Sequence, residues 1–254
     1  MSRFVLVHGG LAGSWLWEKV VPLLESEGHQ VETPDLPGHG EDHTPIPEVS
    51  LQGYAGRICQ VLDSQPEPAV LVGQSMGGAV ISQAAEQCPD KIALLVYVGA
   101  YLLRDGETMP GASENDPDSL ALPNLEMSGD GSSATLREDA IEEALLHDCS
   151  EEAVKRAKSR FQPQAVAPLA TPVSLTEENS GRIPRVYIET LQDRTIGPSL
   201  RKEMYERVPC REVVSMDTGH WPFYAAPEEL AGHLISLAAK NPAVERAADA
   251  GHVR

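Results

Sequence analysis

Gly73-Gln74-Ser75-Met76-Gly77-Gly78 lies between an apolar run, Ala69-Val70-Leu71-Val72, and an Ala-rich stretch that continues through Ala79, Val80, Ala84 and Ala85 to Cys88-Pro89. The run before it reads as a buried strand. The stretch after it reads as a helix that ends at Cys88, because proline disfavours helical geometry in the residue before it. A strand that turns sharply into a helix forces strained backbone angles on the corner residue, and small flanking residues let the two backbones approach. Gly73, Gly77 and Gly78 meet that need. Such a turn lifts the Ser75 hydroxyl above the end of the sheet. It also aims the first N–H groups of the helix at whatever binds there, where the helix dipole favours developing negative charge. This is the placement of an acyl-transfer nucleophile. A glycine turn before a helix also cradles phosphates or merely closes a βα unit, but no G-K-[ST] follows, which argues against a P-loop.

Outward from this turn, five further apolar and partly β-branched runs recur: Phe4–Val7, Gln30–Thr33, Ile92–Val98, Arg185–Glu189 and Glu212–Met216. Helical patterns separate most of them, which implies right-handed βαβ crossovers and a mainly parallel sheet covered on both faces. Glu18–Glu27 is the first expected helix, carrying Val20, Val21, Leu23 and Leu24 inward and stopping at Gly28. Pro227 opens the last, with Leu230, Leu234 and Leu237 along its buried stripe. Residues 1–103 and 183–240 therefore read as an α/β core, and 241–254 as a frayed tail. Between Arg104 and Arg182 the alternation breaks down into Pro, Gly, Ser and acidic residues with helices around Arg137–Leu146 and Glu151–Arg160. Residues 104–182 are too long for an ordinary connection and read as a mainly helical cap, with Met109, Leu122, Leu125 and Met127 as its apolar lining.

Composition narrows the function. A net charge of −18, from 38 acidic and 20 basic side chains, repels nucleic acid and anionic membrane surfaces. No apolar stretch approaches the roughly 20 residues of a membrane helix. The four cysteines, Cys59, Cys88, Cys149 and Cys210, show no C-x-x-C spacing, and the first strand-like run leaves no room for a signal peptide, so a reduced, cytoplasmic protein is expected.

A serine hydroxyl needs a base within hydrogen-bond reach, itself oriented by a carboxylate. Of the eight histidines, His220 lies in Asp217-Thr218-Gly219-His220-Trp221, directly after the last strand run, and is the candidate base. Asp193, just past the run Arg185–Glu189, is the candidate acid, with Asp105 as its substitute. The resulting order Ser, Asp, His is that of an α/β-hydrolase arrangement. Two oxyanion donors are expected, the N–H of Met76 and that of Gly10 in the loop His8-Gly9-Gly10-Leu11. His8, Gly9, Gln74 and Trp221 support the site, with His8 fixing its loop by a hydrogen bond. His39 and His43 stand four residues apart but in a glycine-broken segment without helical register, so no metal site is expected, and no cofactor pattern is present. Trp15 and Trp17 read as packing residues.

The His8-Gly9-Gly10 loop, Val20-Val21-Pro22-Leu23-Leu24-Glu25, Asp35-Leu36-Pro37-Gly38-His39-Gly40, the serine turn, Asp193-Arg194-Thr195 and Gly219-His220 together resemble the α/β-hydrolase superfamily. Within it the chain is most similar to the small-esterase branch that includes plant methylesterases, hydroxynitrile lyases and bacterial carboxylesterases. The likeness covers residues 4–100 and 185–238 and weakens through the cap. It implies a six-stranded sheet lacking the two leading strands of larger members. Hydroxynitrile lyases of this branch carry threonine after the first strand and lysine after the catalytic histidine, where this chain has Gly9 and Trp221, and haloalkane dehalogenases carry aspartate in place of Ser75. A cofactor-independent hydrolase of small to medium hydrophobic carboxylic esters is therefore expected. Its rivals are a lyase or carbon–carbon bond hydrolase on the same scaffold and a non-enzymatic ligand receptor. The cap surface would serve either as a homodimer contact or as a free lid.

Overall fold

Every residue of Phe4–Val7 and of Val70–Val72 is buried, because both faces of the sheet that they join are covered. The computed structural model describes residues 1–114 and 116–241. In chain order its strands are β1 (Arg3–Val7), β2 (Gln30–Glu32), β3 (Ala69–Gln74), β4 (Ile92–Val98), β5 (Leu125–Met127), β6 (Ser133–Leu136), β7 (Gln164–Ala165), β8 (Arg185–Thr190) and β9 (Glu212–Met216). Six of them form a sheet in the order β2-β1-β3-β4-β8-β9, and each neighbouring pair is parallel. The period of two divides the apolar side chains between two cores. Phe4, Leu6, Val70 and Val72 pack on one face with Trp17 and the stripe Leu230, Leu234 and Leu237, whereas Val5, Val7, Ala69 and Leu71 pack on the other with Tyr54, Ile58 and Val80.

Strand order reverses between β1 and β3, since β1 leads to β2 at one edge whereas β3 leads to β4 on the other side. The carboxyl ends of two neighbouring strands thus open in opposite directions, and the crevice between their loops is the natural ligand position in an open α/β sheet. The loop of His8, Gly9 and Gly10 leaves β1 there, and Ser75 leaves β3.

The helices are α1 (Val21–Ser26), α2 (Leu51–Asp63) and α3 (Gly77–Gln87), followed by shorter pieces and by the helices Pro198–Arg207 and Pro227–Ala239. The first is shorter than the expected Glu18–Glu27, because a 3₁₀ turn over Ser14–Trp17 delays its start; Gly28 follows it with φ of +78°. Within α3, Cβ-free backbone at Gly77 and Gly78 allows close contact with the β1 exit and with Tyr101. A methyl on Gly73 would meet the Gly77 carbonyl oxygen at 2.4 Å. Gly73→Ala is therefore expected to force strand and helix apart at a cost of about 1–3 kcal/mol, read as a lower urea midpoint; an unchanged midpoint would show that the turn yields freely.

Segment 104–182 is mainly helical, but it also carries a three-stranded antiparallel sheet, β5-β6-β7, that the sequence pattern did not announce. Of the two helices expected, Arg137–Leu146 contracts to a π-helical Glu142–Leu146 and Glu151–Arg160 to Glu151–Lys158. The reading of four reduced cysteines is corrected: Cys59 of α2 and Cys88 at the end of α3 form a disulfide across the α2–α3 packing, leaving Cys149 and Cys210 free. A reduced compartment accordingly loses its support. Asn241, the first residue of the expected frayed tail, is buried with its amide donating to the Ala93 carbonyl, and residues 242–254 lie outside the described residues. Among the described residues no helix is long and apolar enough to cross a membrane.

Candidate active site

Ser75 has φ of +53°, a left-handed conformation that serine adopts only under constraint. The constraint is local, since the Ser75 carbonyl accepts from the N–H groups of both Gly78 and Tyr101, which locks the corner between β3 and α3. Leu11, at the end of the β1 loop, is the other non-glycine residue with positive φ among the described residues, at +63°. Both strained residues face one cavity of about 210 Å³.

His220, in the loop after β9, points its Nδ1 at Asp193 Oδ2 across 2.8 Å. Asp193, in the loop after β8, is buried and accepts further bonds from the Thr190 hydroxyl and from the N–H groups of Thr195 and Ile196. Burial alone would raise its carboxyl. The charge and hydrogen bond of His220, with the Arg201 guanidinium 3.9 Å away and the Thr195 N–H, outweigh burial and hold Asp193 below the ordinary carboxylate range. The acid is thus kept ionised beside the imidazole. Asp105 lies elsewhere, accepting from the Leu175 N–H.

Ser75 and His220 line the same cavity, but among the described residues the hydroxyl makes no hydrogen bond to the ring. Gln74 stands at that position instead. Its amide nitrogen lies 3.1 Å from His220 Nε2 and donates to the His220 carbonyl at 3.2 Å, tying the histidine loop to β3. A catalytic serine and its base often pair only loosely in unliganded hydrolases.

The backbone N–H groups of Gly10 and Met76 border the cavity and donate to no group among the described residues. Unspent, pre-positioned donors are what an oxyanion requires. The loop that offers Gly10 is held by His8, whose Nε2 accepts from the Leu36 N–H and whose Nδ1–H then donates to the Gly9 carbonyl. Gly9 has no room for a side chain: a methyl there would meet Gln74 Oε1 at 2.3 Å and Ser75 Cβ at 3.0 Å. Trp221 is buried in a cluster with Trp15, Phe161, Phe223 and Tyr224 and forms part of the cavity wall; Trp17 packs on Phe223. His39 is buried against the Tyr54 hydroxyl whereas His43 is exposed, so the pair does not converge.

The segment between β4 and β8 contributes more than lining. Met109, Leu122 and Leu125 reach the cavity, but Met127 does not and is 54% exposed. Asp148 accepts the Gly219 N–H at 2.6 Å, and His147 Nε2 lies 2.9 Å from the Gln192 carbonyl, so neighbouring residues grip the loops that carry His220 and Asp193. Gln162 holds the other side, its N–H donating to Leu11 and its amide bracketing Gly40. In the sequence His147, Asp148 and Gln162 belong to no motif or periodic pattern, so these roles had no signal to betray them.

Burial keeps His8 neutral, and burial together with the neighbouring His8 lowers His39 to about 3 from an ordinary 6.5. Both are depressed in the folded chain, so the unfolded chain binds their protons first. Their contribution to stability is complete above about pH 6.5 and is lost as pH falls toward the folded values, at up to about 1.4 kcal/mol per pH unit for each. Urea midpoints are expected to decline between pH 6.5 and 4.5, before the depressed Asp193 adds its own loss below its ordinary 3.8. A flat profile down to pH 4.5 would contradict neutral burial of the pair.

Residues 4–233 match the pattern of one family, described as alpha/beta hydrolase. The chain belongs to that family. As an alpha/beta hydrolase it is 33% identical over 247 residues to a pyrethroid hydrolase of Sphingobium wenxiniae, covering 94% of this chain and 88% of that protein. Methylesterase 8 of Arabidopsis thaliana is 32% identical over 250 residues, covering 94% and 90% of the two chains. Among solved structures, a pyrethroid hydrolase from Sphingobium faniae superposes with a TM-score of 0.86 at 30% identity over 95% of this chain and 98% of its own. Polyneuridine aldehyde esterase gives 0.85 at 28% identity over 94% and 99%.

Proposed function

We propose that this carboxylic-ester hydrolase works through an acyl-enzyme on Ser75, with His220 as general base and then general acid, Asp193 fixing the ring tautomer, and the amides of Gly10 and Met76 holding the oxyanion. The observation that carries the reading is the Asp193–His220 pair, whose imidazole lines the same cavity as a strained Ser75. With Nδ1–H given to Asp193, the Nε2 lone pair is free to take the serine proton once Gln74 yields. Ser75 Oγ then attacks the ester carbonyl, and the tetrahedral intermediate collapses as Nε2–H protonates the departing alcohol. Water, deprotonated by the same nitrogen, releases the acid. Each oxyanion donor contributes on the order of 100- to 1000-fold.

The substrates fit the cavity. Its volume of about 210 Å³ and its wall of Met109, Leu122, Leu125, Leu136, Leu145 and Trp221 favour small to medium hydrophobic esters, and the segment 104–182 serves as their cap. The relatives named as pyrethroid hydrolase and methylesterase support an ester with an apolar body. A p-nitrophenyl series from acetate to octanoate tests this reading. Turnover is expected to peak at short or medium acyl length and to fall at octanoate. A folded protein that hydrolyses none of the series would turn attention to cyanohydrin cleavage and ligand binding.

A further inference from the structure

The cavity wall holds few polar side chains, and most are satisfied within the protein. The Tyr101 and Ser113 hydroxyls bond each other at 2.8 Å, the Thr195 hydroxyl donates to the Ala144 carbonyl, and the Gln74 amide is given to His220. Gln164 is different. It sits on β7, is 3% exposed, and lines the cavity, yet among the described residues its Oε1 has no hydrogen-bond partner.

This acceptor is held in place rather than stranded. Gln164 Nε2 donates to the Ala165 carbonyl at 2.9 Å and to the Tyr54 hydroxyl at 3.2 Å. Tyr54, having accepted there, has its own proton to give to His39 Nε2, 3.1 Å away. Turning the amide over would set Oε1 against the Ala165 carbonyl, acceptor against acceptor, so the network fixes the orientation of the amide. A buried acceptor left open costs free energy that a ligand donor would recover. Its position is also specific, since a methyl built on Gly10 would lie 3.3 Å from Oε1.

Resting on the ester-hydrolase reading, we infer that Gln164 Oε1 is a specificity-determining acceptor, and that the preferred esters carry a hydroxyl or N–H donor on the first or second carbon from the scissile carbonyl. The carbonyl oxygen placed at the Gly10 amide brings those carbons beside Gln164. The rest of the molecule then meets the apolar wall. An ester with a donor fills the open acceptor, whereas the analogue without one buries it unpaired.

The test compares matched methyl esters: mandelate, as each enantiomer, with phenylacetate, and 3-hydroxy-3-phenylpropanoate, as each enantiomer, with 3-phenylpropanoate. Each kcat/KM is divided by the ester's alkaline hydrolysis rate, and p-nitrophenyl acetate serves as reporter. A pair that is not turned over is read as competitive inhibitors of the reporter reaction. The wild type is expected to favour a hydroxylated partner about tenfold or more in at least one pair. Gln164→Met should bring that ratio near one, with the loss falling on the hydroxylated ester and not equally on both partners, as expected of a lost contact and not of a damaged fold. Gln164→Asn, which withdraws the acceptor by one methylene, should do the same where the methionine variant does not fold. No preference in the wild type, or a preference retained in the variant that folds, overturns the inference and leaves the esterase reading intact. Equal loss on both partners assigns Gln164 a structural role and also overturns it. A folded wild type inert even toward p-nitrophenyl acetate fails the esterase reading itself.

Discussion

Ser75→Ala is expected to lower ester turnover by on the order of 10⁵- to 10⁶-fold while leaving the fold intact. The size follows from what the hydroxyl alone supplies. Without Oγ no acyl-enzyme forms, and His220 is left to activate water against a carbonyl polarised only by the Gly10 and Met76 amides. The stability change should be small, within about 0.5 kcal/mol, because among the described residues the Ser75 hydroxyl makes no hydrogen bond and the corner is held by its backbone carbonyl. Urea midpoints of the two proteins should therefore coincide. The wild type should also release p-nitrophenol in a burst, as an acyl-enzyme does when its hydrolysis is slow, and the variant should show none. Turnover that survives in Ser75→Ala would mean that water attacks directly, and the acyl-enzyme reading would fall.

The fold was legible because parallel strands buried on both faces leave uninterrupted apolar runs. Ile92–Val98 is such a run, and every residue in it is buried. The glycines around Ser75 announce their turn for a similar reason: nothing larger fits between β3 and α3. Asp193 and His220 follow strand runs directly, and strand ends on one sheet edge converge. What sequence did not disclose depends on contacts between distant segments. Gln164 reaches Gly10 and Tyr54 from a strand of two residues, too short to show alternation. Cys59 and Cys88 meet because two helices pack, and their separation of 29 residues carries no pairing signal. Met127 was misplaced because period two puts it on the same side of β5 as Leu125, yet the strand carries it roughly 7 Å farther, past the cavity.

Asp193→Asn should cost turnover on the order of 10³- to 10⁴-fold, and the direction of each hydrogen bond explains why a nearly isosteric change has so large an effect. The Thr195 and Ile196 N–H groups both donate to Oδ1, so the asparagine oxygen must stay there and its amide nitrogen must take the place of Oδ2. That nitrogen is a donor. It faces His220 Nδ1, which must then become an acceptor, and the ring proton moves to Nε2. The nitrogen that should receive the Ser75 proton already carries one, so the base is blocked by tautomer and not by position. Arg201, 1% exposed, also loses its neighbouring carboxylate, a stability cost of about 1–3 kcal/mol. The two effects separate experimentally: stability is read from the urea midpoint, whereas kcat is measured well below it, where the variant is fully folded. Asp105→Asn, altering a carboxylate that accepts the Leu175 N–H away from the cavity, should leave kcat unchanged. Near-normal kcat in Asp193→Asn together with a loss in Asp105→Asn would reverse the assignment of the acid, and would require the Asp193–His220 pair to open during turnover.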